Sequence, residues 1–311
     1  MGINEHKPGL QQAPQSAAAD LAEVVAGLRL SREVTHKIRH RGQIREMPAR
    51  AALEKIRDGL LAVLFPSHYG CPDLTDETID YFVGHMLAQS LAALTEQVRR
   101  DLLFLPPGQT DIPAEEQAGV IVRDFAAQLP ALRGILAEDL IAAYHGDPAA
   151  SSMAEVLLAY PGMRSITHHR LAHVLHQLGA PLVARLLAGI SQAETGIDIH
   201  PQAQIGRRFF IDHGTGVVIG QTAIIGENVR LYQHVTLGAK RFTEDENGML
   251  VKGEPRHPII EDNVVIYAGA TVLGRITVGR DSTIGGNVWL TQSVPPGSVI
   301  TQAQNRLSNE A

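Results

Sequence analysis

The sequence contains a single cysteine, Cys71, in 311 residues, so no disulfide forms within the chain and the fold rests on burial and hydrogen bonding. That usage suits a reducing compartment, and a cytoplasmic location is expected. A basic excess is also missing: 27 Lys and Arg against 33 Asp and Glu leave a net charge of −6. This excludes a general nucleic-acid or anionic-membrane binder, whose partner calls for a basic face. No apolar run approaches the roughly 20 residues needed to cross a bilayer. Met1 to Asp20, rich in Gln, Ala and Pro, lacks the continuous apolar stretch of a signal peptide and reads as a mobile tail.

What the chain does have is a period of six. Aliphatic residues stand at Ile199, Ile205 and Ile211, then at Ile219, Ile225, Leu231 and Leu237, and again at Ile260, Ile266, Val272, Val278, Ile284 and Leu290. Small or aliphatic residues fall four places after most of them, among them Ala203, Ala223, Val229, Val264, Ala270 and Val288. Glycine often follows directly, as in Ile205-Gly206, Ile219-Gly220 and Ile284-Gly285. A short fixed period means stacked units, each too small to bury its own apolar face. Six matches neither the 3.6 of a helix nor the alternation of an amphipathic strand. A parallel β-helix of hexapeptide repeats fits, with aliphatic residues pointing into a prism.

Helical spacing precedes the repeat. Apolar residues three and four apart predict helices over Leu21–Arg41, Ala49–Leu64 and Thr75–Arg100, the last capped by Thr75. Leu105-Pro106-Pro107-Gly108 predicts a long loop. Further helices are predicted over Ala114–Leu129, Ala131–Tyr144, Ser152–Leu158, Met163–Leu178 and Pro181–Ser191. Helices first and β-repeat second indicate segregated layers, not an alternating α/β sheet. The expected organisation is a tail (1–20), a helical domain (21–194), a β-helical domain (195–297) and a C-terminal tail (298–311).

Interruptions of the repeat locate the chemistry, because a solenoid accepts insertions only as loops. Between Ile211 and Ile219 the spacing is eight, the excess following Asp212-His213-Gly214-Thr215-Gly216. Between Leu237 and Ile260 it is 23, so a loop over 238–258 leaves the prism and ends in Arg256-His257-Pro258. Each departure carries a histidine.

These residues resemble the serine O-acetyltransferase family. The resemblance is carried by Asp198-Ile199-His200-Pro201, Asp212-His213-Gly214-Thr215-Gly216, Val235-Thr236-Leu237-Gly238 and Arg256-His257-Pro258, with Gly146-Asp147-Pro148-Ala149 upstream. It covers about Leu140 to Gly297 and implies a left-handed β-helix that transfers acetyl from acetyl-CoA to the L-serine hydroxyl, yielding O-acetylserine for cysteine synthesis. Such an acceptor needs a base. A histidine, with an unperturbed pKa of about 6.5, is ready at neutral pH. The resemblance assigns the base to His213 and its orienting partner to Asp198. It places Asp147, Asp212, Arg256 and His257 in the serine site, with His257 also catalytic. Arginine holds a carboxylate through two parallel hydrogen bonds, and carboxylates receive an ammonium.

The donor is expected along the prism between subunits, passing small residues at Gly238, Ala239, Ala268, Gly285 and Gly286, with Lys240, Arg241, Arg275 and Arg280 available to its phosphates. No metal is expected. A homo-oligomer is expected, a trimer or a dimer of trimers. Family members that dock into cysteine synthase carry a terminal isoleucine; this sequence ends in Glu310-Ala311, so that partnership is not expected. Tyr267 stands where the family has glycine, and Gln221 where it commonly has glutamate. Acetyl transfer to another amino acid, a sugar or a xenobiotic hydroxyl is the alternative function, and a non-catalytic repeat scaffold the alternative of another class.

Overall fold

In the computed structural model each of the thirteen aliphatic repeat positions falls in a strand of its own, two or three residues long. One sheet contains β1 (Asp198–Ile199), β4 (Val218–Ile219), β7 (Thr236–Gly238), β10 (Thr271–Leu273) and β13 (Trp289–Leu290) in that order. A second contains β2 (Gln204–Ile205), β5 (Ile224–Ile225), β8 (Ile259–Ile260) and β11 (Thr277–Val278). The third contains β3 (Phe210–Ile211), β6 (Arg230–Leu231), β9 (Val265–Ile266), β12 (Thr283–Ile284) and β14 (Val299–Ile300).

All pairings are parallel and the repeat sets their register, Ile199 beside Ile219, Ile219 beside Leu237 and Leu237 beside Val272. The three sheets form a left-handed prism. Twelve of the thirteen repeat side chains are buried, with Ile205 half-buried at the first coil. Each buried aliphatic contributes roughly 1.5–3 kcal/mol.

Corners between the second and third sheets need a left-handed backbone, and Arg208, Asn228, Asn263 and Asp281 adopt it. Asparagine and aspartate tolerate that conformation better than most residues. Their side chains also hydrogen-bond along the prism, from Asn228 to Asn263 and from Asn263 to Asp281, both at 2.9 Å.

The structure describes residues 15–36, 46–104 and 112–302. Two compact units divide at Glu46/Met47, so the helical region is not one domain from residue 21. The first unit holds α1 (Gln15–Leu30) and a π-helical turn over Ser31–Thr35. Gln15 to Asp20, expected in the tail, are therefore helical. Met1 to Pro14, the Leu105-Pro106-Pro107-Gly108 loop and residues 303–311 lie outside the described residues. Of the expected C-terminal tail, Val299–Ile300 pairs with β12 as a strand.

The second unit continues with α2 (Arg50–Leu64), α3 (Pro66–Tyr69), α4 (Ile79–Leu102), α5 (Ala114–Gly146), α6 (Met153–Ala159), α7 (Pro161–Gln177) and α8 (Pro181–Thr195). Thr75 does not cap α4: Thr75 to Thr78 form a turn ahead of it, with the Thr75 carbonyl accepting from Thr78 N and Ile79 N. The two helices predicted on either side of Pro130 are one, α5. Proline forfeits a single backbone bond. Pro130 is exposed, while Leu129, Leu132 and Leu136 tie both halves of α5 into the core.

Several contacts join the helices to the prism. Arg170 of α7 grips Asp139 of α5 through Nε at 2.6 Å and Nη2 at 2.9 Å. The same guanidinium donates to the carbonyls of Ile205 and Gly206, and Asp139 accepts from Phe209 N. At the start of α7, a Cβ on Gly162 would lie 2.0 Å from the Ile211 carbonyl, so only glycine allows this helix to rest on β3 beside Asp212. A histidine of α7 serves this junction as well. His173 Nδ1 donates to the Pro201 carbonyl at 2.7 Å, leaving Nε2 to accept from Gln177.

Candidate active site

The turn between β3 and β4 departs from the repeat by its two extra residues, and it contains a run of left-handed backbone. His213 has φ 58°, followed by Gly214 at 89° and Gly216 at 75°. A histidine there is strained, and the turn projects its ring outward, 72% exposed. Asp212 lies beside it, with Oδ1 at 3.8 Å from Nε2.

Asp147, directly after α5, faces the same ring, and the His213 charge is among the influences that lower its carboxyl pKa. The larger causes are hydrogen bonds. Tyr160, at the head of α7, donates its hydroxyl to Asp147 Oδ2 at 2.6 Å, and Ala149 N donates to Oδ1 at 2.8 Å. The carboxylate in turn raises the Tyr160 hydroxyl to about 12, so it remains a donor. Asp147, Asp212 and His213 thus come together, and Tyr160 joins them. Tyr160 has no sequence signal, being 13 residues from its partner and in an ordinary Tyr-Pro helix start.

Asp198 is in β1, half-buried, with its backbone N–H on the Val217 carbonyl. Among the described residues no hydrogen bond or ion pair links its carboxylate to His213. The predicted pair shares an edge of the prism without such a link.

Arg256 and His257 lie elsewhere. They follow the long loop and precede β8, at the corner between the first and second sheets. There Thr222 Oγ1 accepts the backbone N–H groups of both, at 2.9 and 3.1 Å. The His257 ring, 7% exposed, lies on Gly220, and its Nδ1 accepts from Thr222 N at 3.1 Å. Burial, with the charges of Arg256 and Arg275, pushes its pKa down to about 4. The ring is therefore neutral at pH 7 and carries its proton on Nε2, a hydrogen-bond donor. His213 and His257 stand at opposite ends of β4, on the order of 10 Å of strand apart.

The small residues divide in the same way. Gly238 ends β7 and Ala239 follows it at the His257 corner, whereas Ala268, Gly285 and Gly286 follow β9 and β12 at the His213 corner. Tyr267 stacks on Tyr232 at that second corner, with rings 5.0 Å apart. The long loop carries a bridge between Glu244 and Leu250, and with the prism it bounds a 460 Å³ cavity. Lys240, Arg241, Arg256 and Arg275 line it.

Comparison with known proteins places the chain among acetyltransferases of this fold. The family described as bacterial transferase hexapeptide (six repeats) matches residues 257–292. The chain is 57% identical over 272 residues to a plasmid-encoded serine acetyltransferase of Synechococcus elongatus, covering 86% of this chain and 85% of that one. Its fold resembles Entamoeba histolytica serine acetyltransferase isoform 3 in complex with cysteine, with a TM-score of 0.68 and 31% identity over 95% of this chain and 97% of that one. It also resembles soybean serine acetyltransferase complexed with serine, with a TM-score of 0.52 and 30% identity over 81% and 96% of the two chains.

Proposed function

This chain belongs to the serine acetyltransferase family, and from that premise we propose how its own residues transfer acetyl from acetyl-CoA to the hydroxyl of L-serine. His213 accepts the hydroxyl proton as the serine oxygen attacks the thioester carbon. The tetrahedral intermediate collapses, the carbon–sulfur bond breaks, and His213 returns the proton to the departing CoA sulfur. No covalent enzyme intermediate is needed. Asp147, held by Tyr160, receives the serine ammonium together with Asp212. Arg256 binds the carboxylate, and the Nε2–H of His257 faces the developing oxyanion. Asp198 acts on the imidazolium across the prism edge as an electrostatic partner.

The observation that carries this reading is the placement of acid cluster and base at one end of β4 and of cation and neutral donor at the other. One protomer does not bring these ends together. Packing the His257 corner of one prism against the His213 corner of a neighbour does, and threefold repetition closes a trimer. The small residues on both corners then line one shared groove, where acetyl-CoA lies with its phosphates toward the cationic cavity at Arg275.

Release of CoA from acetyl-CoA with L-serine, L-homoserine, L-threonine or a hexose as acceptor tests the assignment. Release with serine, and a loss of about 10²–10⁴ in turnover for His213→Ala with CoA binding retained, is expected. A His213→Ala variant of normal turnover excludes it as the base.

A further inference from the structure

Arg256 is positioned by oxygen atoms that carry no charge. Its Nη2 donates to Gln221 Oε1 at 2.7 Å and its Nη1 to the main-chain carbonyl of Glu254 at 3.2 Å. Among the described residues no carboxylate forms an ion pair with it. Gln221 is itself held, donating from Nε2 to Gln202 Oε1 at 2.8 Å, and the Gln202 backbone N–H is anchored on His200 Nδ1 at 3.0 Å.

Donor and acceptor types allow this relay one direction only. A guanidinium only donates, so the amide oxygen of Gln221 must face Arg256 and its NH₂ must face Gln202. A carboxylate at position 221 would have the same shape and accept the same bond. It would also turn a neutral contact into a charge-assisted pair, about twice as strong, and engage the guanidinium before a ligand arrived. Around the cavity that Arg256 lines, Lys240, Arg241 and Arg275 add positive charge against the single carboxylate of Glu254; Arg275 donates to the carbonyls of Thr222 and His257, and His257 is neutral. This corner therefore stays net positive.

We propose that Gln221, fixed by Gln202, is a positioning and specificity residue. It orients Arg256 while leaving the whole guanidinium charge to the carboxylate of the acceptor amino acid. The proposal rests on Arg256 being the carboxylate-binding group.

The test compares kcat/KM for L-serine with that for L-serinamide, which keeps the hydroxyl and the amine and lacks the carboxylate. The proteins are the wild type, Arg256→Gln, Gln221→Glu and Gln221→Met. Wild-type enzyme should favour serine, and Arg256→Gln should abolish that preference. Gln221→Glu should reduce the preference about tenfold through KM for serine, leaving kcat and the serinamide kinetics within about twofold. Gln221→Met, which loosens Arg256 without neutralising it, should fall between wild type and Gln221→Glu. If Arg256→Gln abolishes the preference but Gln221→Glu keeps it, or if Met equals Glu, the role of Gln221 is overturned and that of Arg256 stands. A preference unaffected by Arg256→Gln overturns both.

Discussion

Gly220→Ala is the sharpest test of the corner at the end of β4. A Cβ on this residue would lie 1.9 Å from His257 Cδ2 and 2.1 Å from Nε2. Ordinary carbon contacts begin at about 3.5 Å, so the ring must retreat by about 1.5 Å. Its Nδ1 is held by Thr222 N at 3.1 Å and Thr222 Oγ1 at 2.9 Å, and a retreat of that size breaks both bonds. Overpacking costs about 1–3 kcal/mol in stability. Misplacing a group by more than about 1 Å costs about 10² in kcat/KM. The variant should therefore fold, with a modestly lower melting temperature, and lose about 10² of activity. His257→Ala should lose a similar factor. Because alanine at 257 vacates the contested space, the double variant Gly220→Ala/His257→Ala should be no worse than His257→Ala alone. CoA release at saturating acetyl-CoA and varied serine reads all three. A Gly220→Ala enzyme within twofold of wild type, or a double variant whose losses multiply, would refute the placement of the His257 ring.

Two further outcomes concern stability. Asp101, in α4, is buried; its Oδ2 accepts from Val183 N while Oδ1 has no hydrogen-bond partner among the described residues, and burial raises its pKa to about 6. Folded protein then holds more protons than unfolded chain between about pH 4 and 6, so this group's stabilisation is lost as pH rises through that window. Asp101→Asn stays neutral throughout and should be more stable than wild type by about 2–3 kcal/mol at pH 8, with little difference at pH 4; parallel urea midpoints at the two pH values would contradict this. Arg170→Met strands the Asp139 carboxylate in the core and should cost about 3–5 kcal/mol, whereas Arg170→Met/Asp139→Leu should cost less. Chemical denaturation that ranks the double variant below the single would count against the clamp.

The prism was legible because its period is a local property, written into the chain every six residues. The same holds for the two places where the period is interrupted, at His213 and ahead of Arg256-His257. Helix boundaries were less legible where a local rule met tertiary packing. Pro130 reads as a break, but buried Leu129, Leu132 and Leu136 outweigh one missing hydrogen bond. Tyr160 was invisible because its role depends on where α7 starts relative to the end of α5, which Gly162 against β3 decides.

By itself, then, the amino-acid sequence determined the repeat and the inward aliphatic columns, since these follow from residue type and spacing along the chain, while the candidate site residues came from the family resemblance. Tertiary structure alone decided how the candidate site residues group: Asp147 and Tyr160 join His213, Asp198 has no hydrogen bond or ion pair with it among the described residues, and Arg256 and His257 stand on Thr222 and Gly220 at the far end of β4. The physical reason is the turning of the coil. Residues close in sequence are carried to different edges of a prism, while residues a whole coil or a loop apart are stacked on the same edge, and no spacing rule says which side chains meet there.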